Sequence, residues 1–254
     1  EDFERLKRRR LAAIEREKSD PQGVAMRVLP GLVYGKGHVY GVPFSGNGRA
    51  AEVERLTRED VRRFYATWFR PGNATLVAVG DTTLEALVPE LERRFGRWQA
   101  AEVPALAAAG AKGSRGVYLI DRPGAAQSVV VAGFAAPPRD AAGEHAVEVM
   151  NALLGGAFTS RINLNLREEK HWSYGARTTL RDMAGLRALV CVAPVQGDKT
   201  AETLAELARK YREVVGGRPP TAEEVEKTVT DRTLRLAGQW ETMGAVAGVL
   251  EQMV

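Results

Sequence analysis

Residues 154–174, LGGAFTSRINLNLREEKHWSY, form the stretch of sequence that decides the fold. Before it, residues 141–154 have a helical pattern that ends at Gly155-Gly156, because glycine is common just beyond the last turn of a helix. At its end and beyond it, residues 172–180 and 186–195 have the composition of two strands with a glycine-containing turn between them. The stretch is therefore predicted to join a helix to an antiparallel strand pair.

The rest of the chain mixes helices and strands without the strict alternation of a doubly wound sheet. Helices are predicted over residues 1–19, 22–29, 59–69, 83–95, 201–215, 221–240 and 243–254, and further strands over 74–79, 117–120 and 128–134. Asp20-Pro21 ends the first of these helices and Pro30-Gly31 the second, since proline disfavours helical backbone at the residue before it. The pattern favours an α+β class, with helices on one face of a largely antiparallel sheet.

The composition changes between residues 99 and 116, where Ala, Gly and Pro replace the apolar periodicity. We interpret this segment as an interdomain linker. Residues 1–98 and 117–254 are then predicted to belong to two domains, each incomplete. The chain begins with Glu1 rather than Met, inside a helical pattern, and it ends in another helical pattern without a stop signal.

Composition and charge exclude several classes of function. The chain has 36 Lys plus Arg against 32 Asp plus Glu, so its formal net charge is only +4, and the two signs are interspersed. With 7% aromatic residues and no phosphate-binding glycine loop, neither nucleic-acid nor nucleotide binding is indicated. No apolar run approaches the roughly 20 residues of a membrane span. The compartment is left open between a bacterial cytoplasm and a bacterial periplasm.

The sequence offers few ligands for a metal ion. It has three histidines and one cysteine, Cys191, which lies in an apolar strand pattern typical of a buried, unreactive thiol. His145 and Glu148 form H-x-x-E on a predicted helix, but Val149 stands where a zinc site of the H-x-x-E-H type needs its second histidine. This helix can supply at most one nitrogen ligand, and we expect His145 and Glu148 to face solvent.

Four segments, taken in order, resemble the insulinase/pitrilysin family of zinc peptidases. They are GHVYG at residues 37–41, LTREDV through VGD at 56–81, DRPGAAQS at 121–128, and the 154–174 stretch with its GG, SR, LRE and SY elements. The resemblance implies a clamshell of two similar two-layer α+β domains, with H-x-x-E-H and a distant Glu on the first. It identifies this chain as the back half of the first domain, the linker and the front part of the second. The H-x-x-E-H helix would then lie upstream of Glu1.

The same resemblance implies which residues form the substrate-binding site. Arg167 and Tyr174 are seven residues apart, as are the family's substrate-binding Arg and Tyr, which implies that Arg167 holds a peptide carbonyl and Tyr174 donates to the oxyanion at zinc. Arg161 also matches and is expected either to bind substrate or to anchor its loop. His171 stands at or near a position that is usually Gly in the family, so the turn carrying Tyr174 is in question.

For the metal, the alignment places Ala13 at the position of the third zinc ligand, with Glu15 and Glu17 a short offset away as weak candidates. The family resemblance therefore implies zinc for the parent protein or a partner subunit, and none in this chain. We expect the chain by itself to bind no stoichiometric zinc and to cleave no peptide.

Three functions remain open. The first is a non-catalytic, substrate-binding segment or subunit that works with an H-x-x-E-H-bearing partner or a missing N-terminal part. The second is a fragment of an active zinc endopeptidase, with Glu15 or Glu17 reaching the metal. The third is a structural scaffold derived from such peptidases. Peptide is the expected substrate in the first two.

Overall fold

The computed structural model describes residues 1–105, 110, 112–139 and 142–253. The α-helices and strands are, in chain order, α1 (Asp2–Ser19), α2 (Pro21–Val33), α3 (Ala50–Arg55), α4 (Arg58–Trp68), α5 (Leu84–Phe95), β1 (Gln127–Ala136), α6 (Glu144–Asn151), α7 (Arg161–Asn163), β2 (Arg177–Arg181), β3 (Arg187–Gln196), α8 (Thr200–Val215), α9 (Ala222–Gly238) and α10 (Met243–Glu251). Two π-helical segments, Ala152–Gly156 and Leu164–Glu169, lie on either side of α7. The predicted α+β class is confirmed.

The chain divides into two compact units. Unit 1 comprises Glu1–Arg55 and Ala108–Thr228, and unit 2 comprises Leu56–Ala107 and Val229–Val254. The domain limits at residues 98 and 117 stay a prediction. Part of the predicted linker, residues 106–109 and 111, lies outside the described residues, as do Ala141 and Val254 at the ends of two predicted helices.

Unit 1 is built on a three-stranded antiparallel sheet in the order β1-β3-β2. Strand β3 is central because its sequence, RALVCVAPVQ, is an almost unbroken apolar run that suits burial on both faces. Its Val192 pairs with Val131 of β1, and its Cys191 pairs with Thr178 of β2. The predicted pairing of the two strands around residues 183–185 is confirmed.

Each face of this sheet contributes to its own hydrophobic cluster. One cluster joins the sheet to the segments that follow α6 and to α8, through Val130, Leu154, Ile162, Leu166, Cys191, Val195 and Leu207. The other joins α2 to the sheet through Leu29, Val33, Tyr34, Ala188, Val190 and Val192. Helix α2 approaches β1 so closely that a Cβ at Gly133 would lie 2.7 Å from Cδ1 of Leu29. Any larger residue at this crossing would force the Leu29 and Val33 side chains to shift.

Cys191 lies in the first cluster with no exposed surface. Burial raises the pKa of its thiol to about 11, because the thiolate would lose its hydration there. The sequence-based expectation of a buried thiol agrees with this environment.

Helix α2 is longer than predicted. It continues through Pro30 to Val33, although Pro30-Gly31 was expected to end it. Proline removes the N–H that would bond to the carbonyl four residues earlier, which belongs to Met26. In the structure the Met26 carbonyl instead accepts a hydrogen bond from the Phe44 N–H at 3.3 Å. The lost helical bond is thus replaced by one from the 35–48 loop.

Unit 2 consists of helices α4, α5 and α10 with the end of α9 and irregular segments. Helix α4 begins with a capping box, in which the Thr57 N–H donates to the Asp60 carboxylate at 2.9 Å and the Asp60 N–H donates to Thr57 Oγ1 at 3.2 Å. Among the described residues of this unit none is buried. The predicted strands at residues 74–79, in unit 2, and 117–120, in unit 1, are wrong, because neither segment forms a ladder with another described segment.

Candidate functional site

Tyr174 lies at the tip of a turn between the second π-helical segment and β2. Its side chain is 94% exposed, and its hydroxyl makes no hydrogen bond to any residue that the structure describes. The backbone on either side is nevertheless held firmly. Ser173 Oγ donates to the Pro194 carbonyl of β3 at 2.5 Å and accepts from the Gly175 N–H at 3.1 Å. The turn therefore presents an available phenol hydroxyl on a fixed backbone.

Arg167 lies in the π-helical segment Leu164–Glu169, where the Lys170 N–H donates to the Asn165 carbonyl five residues earlier, at 3.0 Å. Such π turns are often found at functional sites. The Arg167 guanidinium lies over the Phe158 ring, 4.5 Å from its centroid, and its Nε is 3.3 Å from the Glu168 carboxylate. The side chain is partly exposed, so donors of the guanidinium remain accessible beside the aromatic ring.

His171 connects the segment of Arg167 to the turn of Tyr174. It has φ = 56°, the only positive φ of a non-glycine residue within the described part of the chain. Its Nδ1 is 3.1 Å from the Arg167 carbonyl oxygen. A left-handed backbone is the conformation that glycine adopts most readily, and histidine is among the other residues that tolerate it. The turn that carries Tyr174 therefore forms with histidine at position 171.

Arg161 is engaged in a different set of contacts. Its Nε and Nη2 donate to both carboxylate oxygens of Glu224, at 2.8 and 2.5 Å, and the guanidinium also donates to the carbonyls of Arg218 and Pro219. These contacts join the start of α7 to the loop before α9 and to the first turn of α9. Of the two roles predicted for Arg161, loop anchoring is the one its contacts support, and substrate binding stays a prediction.

Glu224 joins this ion pair to the helix cap of α9. Its carboxylate accepts from the Thr221 N–H at 2.9 Å, and the Glu224 N–H donates to Thr221 Oγ1 at 3.2 Å, so the two residues form a capping box. The hydrogen bonds from Arg161, together with those from Thr221, outweigh partial burial and lower the pKa of Glu224 to about 2.

The two weak metal candidates on α1 have ordinary partners. Glu15 is exposed and pairs with Lys18 at 2.7 Å. Glu17 is mostly buried and accepts hydrogen bonds from Arg27, at 2.5 Å, and from Asn47. Burial by itself would raise the pKa of Glu17, but the hydrogen bonds from Arg27 and Asn47 are stronger in sum and lower it. Both carboxylates are thus occupied by cations or amides.

The H-x-x-E pair on α6 does not gather further ligands. The His145 side chain is 99% exposed, with Nδ1 3.8 Å from the Glu148 carboxylate. A zinc site needs three or four N, O or S ligands converging on one point. Among the described residues, no three His, Cys, Asp or Glu side chains are grouped in this way. The donor set that the structure describes does not fit a zinc ion.

Sequence reasoning missed two features of this region. One is an open apolar groove of about 350 Å³, lined by His145, Ala146, Val149, Met150, Leu153, Pro220 and Val225. The other is the Phe158 ring beneath Arg167, which no motif had singled out. Ala146, Val149 and Leu153 have helical spacing, which could have indicated the apolar face that lines the groove. The contact between Phe158 and Arg167 crosses a π turn and follows no regular spacing in the sequence.

Comparison with solved structures establishes the type of fold. The chain superposes with a TM-score of 0.88 on the peptidase M16 inactive domain from Pseudomonas fluorescens, at 21% identity, covering 99% of this chain and 59% of that one. It also superposes on a chain of complex III2 from Candida albicans with a TM-score of 0.78, at 16% identity, covering 96% of this chain and 59% of that one. The chain therefore shares the α+β fold of these two chains.

The family follows from the sequence itself. Residues 55–231 match the model of the peptidase M16 inactive domain, and the chain belongs to this family. It is thus a non-catalytic domain of the insulinase/pitrilysin type, as the motifs predicted. An uncharacterized zinc protease of Mycobacterium tuberculosis is 24% identical over 198 residues, which cover 76% of this chain and 44% of that protein. The chain therefore spans less than half the length of this relative.

No helix in the described ranges is both long and apolar enough to cross a membrane.

Proposed function

We propose that this chain is the peptide-binding, non-catalytic part of an M16-type zinc peptidase. In this proposal Arg167 and Tyr174 hold a peptide substrate against a zinc site in a partner subunit or in another part of the same protein. The observation that carries the proposal is the fully exposed phenol of Tyr174 on a turn whose backbone is fixed by Ser173. An exposed aromatic side chain that contributes nothing to the core and stands on a fixed backbone is well suited to contact a ligand.

The chemistry of the two side chains supports complementary roles. A guanidinium donates several hydrogen bonds in a fixed plane, so Arg167 is suited to a backbone carbonyl of an extended peptide. A phenol O–H donates one hydrogen bond, and aimed at the oxyanion of a tetrahedral intermediate it stabilises the transition state more than the substrate. Neither role requires a metal ligand from this chain.

The test is peptide hydrolysis by the complete peptidase, reconstituted with the partner or segment that carries H-x-x-E-H. We expect Tyr174→Phe to lower kcat by about 10²-fold or more, the usual effect of removing one oxyanion donor. Arg167→Ala is expected chiefly to raise KM, because it removes binding that substrate and transition state share.

Matched controls come from the same chain. Arg177→Ala removes an exposed arginine of β2, and Tyr65→Phe removes the hydroxyl of an exposed tyrosine in unit 2; both should leave kcat and KM unchanged. Wild-type turnover in both Tyr174→Phe and Arg167→Ala would contradict the proposal.

A second candidate function is that of a fragment of an active zinc peptidase. It is favoured by the similarity to the mycobacterial relative, which is named a zinc protease. Glu15 or Glu17 would then be expected to reach the metal. Elemental analysis that finds about one zinc per chain, with cleavage abolished by a chelator and by Glu17→Gln, would support this function over the first.

A third candidate is a structural scaffold, favoured by the fold similarity to a chain of complex III2 from Candida albicans. It predicts that Arg167→Ala and Tyr174→Phe leave turnover and peptide affinity unchanged. It also predicts that assembly depends on other surfaces of the chain.

A further inference from the structure

The Phe158–Arg167 stack and the Tyr174 turn are connected by one buried side chain, Asn163. Asn163 is the last residue of α7 and is only 4% exposed. Its Nδ2 donates to the Phe158 carbonyl at 2.6 Å, and its Oδ1 accepts from the Ala176 N–H at 3.0 Å. The Ala176 N–H lies two residues beyond Tyr174.

The amide group suits this bridge better than any other side chain of its size. Asparagine has a donor and an acceptor on opposite arms of one planar group, so it can join a carbonyl to an N–H. Aspartate would keep the acceptor for the Ala176 N–H. Its second carboxylate oxygen cannot donate, however, and would face the Phe158 carbonyl oxygen.

We infer that Asn163 is a positioning residue, whose side-chain amide sets the placement of the Phe158–Arg167 stack relative to the Tyr174 turn and so forms one peptide-binding surface from two segments. The consequence for peptide binding rests on the proposed function, whereas the placement itself does not. Phe158, 67% exposed, supports the face of the Arg167 guanidinium in this arrangement.

The first experiment measures the placement without any ligand, by NMR of the full chain. Asn163→Ala should increase the exchange rate of the Ala176 amide proton and shift the Arg167 Nε–H resonance toward its position in Phe158→Leu, where the aromatic ring current is absent. Asn163→Asp should shift the Arg167 resonance but leave the Ala176 amide protected. Unchanged Arg167 and Ala176 signals in Asn163→Ala would overturn the inference.

The second experiment measures affinity for a fluorescent peptide, at a temperature where each variant is folded. Asn163→Ala should weaken binding by about tenfold, the equivalent of one to two hydrogen bonds. Added to the Arg167→Ala/Tyr174→Phe double variant, it should change affinity less than about twofold, because it acts through those side chains.

A matched control separates positioning from general stability. Thr200→Val removes the hydrogen bond between Thr200 Oγ1 and Ser128 Oγ, 2.6 Å long, at the start of α8 in the same unit. It should lower the melting temperature and leave peptide affinity unchanged. An equal loss of affinity in Thr200→Val and Asn163→Ala would assign Asn163 a merely structural role.

The two proposals fail in different ways. If Arg167→Ala and Tyr174→Phe leave peptide affinity unchanged, the proposed function is wrong, and the NMR signals still decide whether Asn163 positions these groups. If those two variants weaken binding and Asn163→Ala moves neither signal, the proposed function stands and the inference about Asn163 is wrong.

Discussion

Units 1 and 2 both carry amphipathic helices, but they differ in what covers the apolar face. Leu207 of α8 is 4% exposed because the helix packs against the sheet of unit 1, whereas Phe64 of α4 in unit 2 is 58% exposed. Helix α4 has no buried residue among those described. The comparison shows that an apolar stripe of helical period predicts a helix, while burial requires a sheet or another helix with a matching surface.

The largest expected effect is on the buried ion pair of unit 1. The Arg187 side chain is 1% exposed and donates to both Glu144 carboxylate oxygens, at 2.8 and 2.6 Å. Arg187→Met leaves the Glu144 carboxylate without its cation and should reduce the free energy of unfolding by about 3–5 kcal/mol. Urea unfolding followed by circular dichroism measures the change.

The matched change in unit 2 is Arg94→Met. Arg94 is 63% exposed and lies 3.7 Å from the Glu90 carboxylate. Because exposed pairs contribute little, we expect a change within about 0.5 kcal/mol. Similar losses of stability in the two variants would contradict the contrast between the units.

A somewhat smaller effect is expected from truncating apolar side chains. Leu154 is 1% exposed in the first cluster of unit 1, and Leu154→Ala should lower the free energy of unfolding by about 2–5 kcal/mol through lost burial and a cavity. Phe64→Ala in unit 2 should lower it by less than about 1 kcal/mol. A loss above 2 kcal/mol for Phe64→Ala would show that α4 is packed in solution.

The smallest expected effect depends on pH and concerns the caps of α9 and α4. The folded pKa of Glu224, about 2, is below its ordinary value of 4.5, so its stabilisation is complete above pH 4.5 and is lost as the pH falls through about 2. Glu224→Gln should lower stability by about 1.5–3 kcal/mol at pH 7 and by progressively less toward pH 2.

Thermal melts of the wild type and Glu224→Gln at pH 7, 4 and 2.5 measure this effect. Asp60→Asn, in the capping box of unit 2, is the comparison. The Thr57 hydrogen bonds also lower the pKa of Asp60, but its partner Arg63 is 69% exposed whereas Arg161 is 13% exposed, so the change in melting temperature should be smaller at every pH. A pH-independent difference for Glu224→Gln would refute the role of its charge.

The sequence was a good guide wherever one local interaction decides the structure. The capping boxes at Thr57 and Thr221 were predictable because the paired residues are three apart and their hydrogen bonds are local. The paired strands β2 and β3 were predictable from their composition and a short connection. The α+β class followed from the order of these elements.

Elements that depend on distant partners were predicted less well. Residues 74–79 have strand composition, but a strand is stable only when another segment supplies its hydrogen bonds. Helix α2 passes Pro30 because Phe44 supplies a donor to the Met26 carbonyl, and nothing near Pro30 in sequence indicates this. In both cases long-range contacts outweighed local preference.

The candidate site was predictable through its family motifs and not through spacing alone. Arg167 and Tyr174 were named by resemblance, and their roles remain proposals. Phe158 and Asn163 were missed because the Phe158–Arg167 and Asn163–Ala176 contacts involve the π-helical segment Leu164–Glu169, in which the helical period of side chains is broken. The family resemblance drew attention to His171, but the left-handed backbone at this residue was not predicted from the sequence.

The burial of Cys191 has a practical consequence for labelling this protein. It is the one cysteine of the chain, and its fully covered thiol with a pKa near 11 should react slowly with maleimides at neutral pH. A single cysteine introduced at an exposed position such as Phe158 would then carry a spin label or fluorophore selectively. The native chain thus serves as an unlabelled background for spectroscopy, without prior removal of its own thiol.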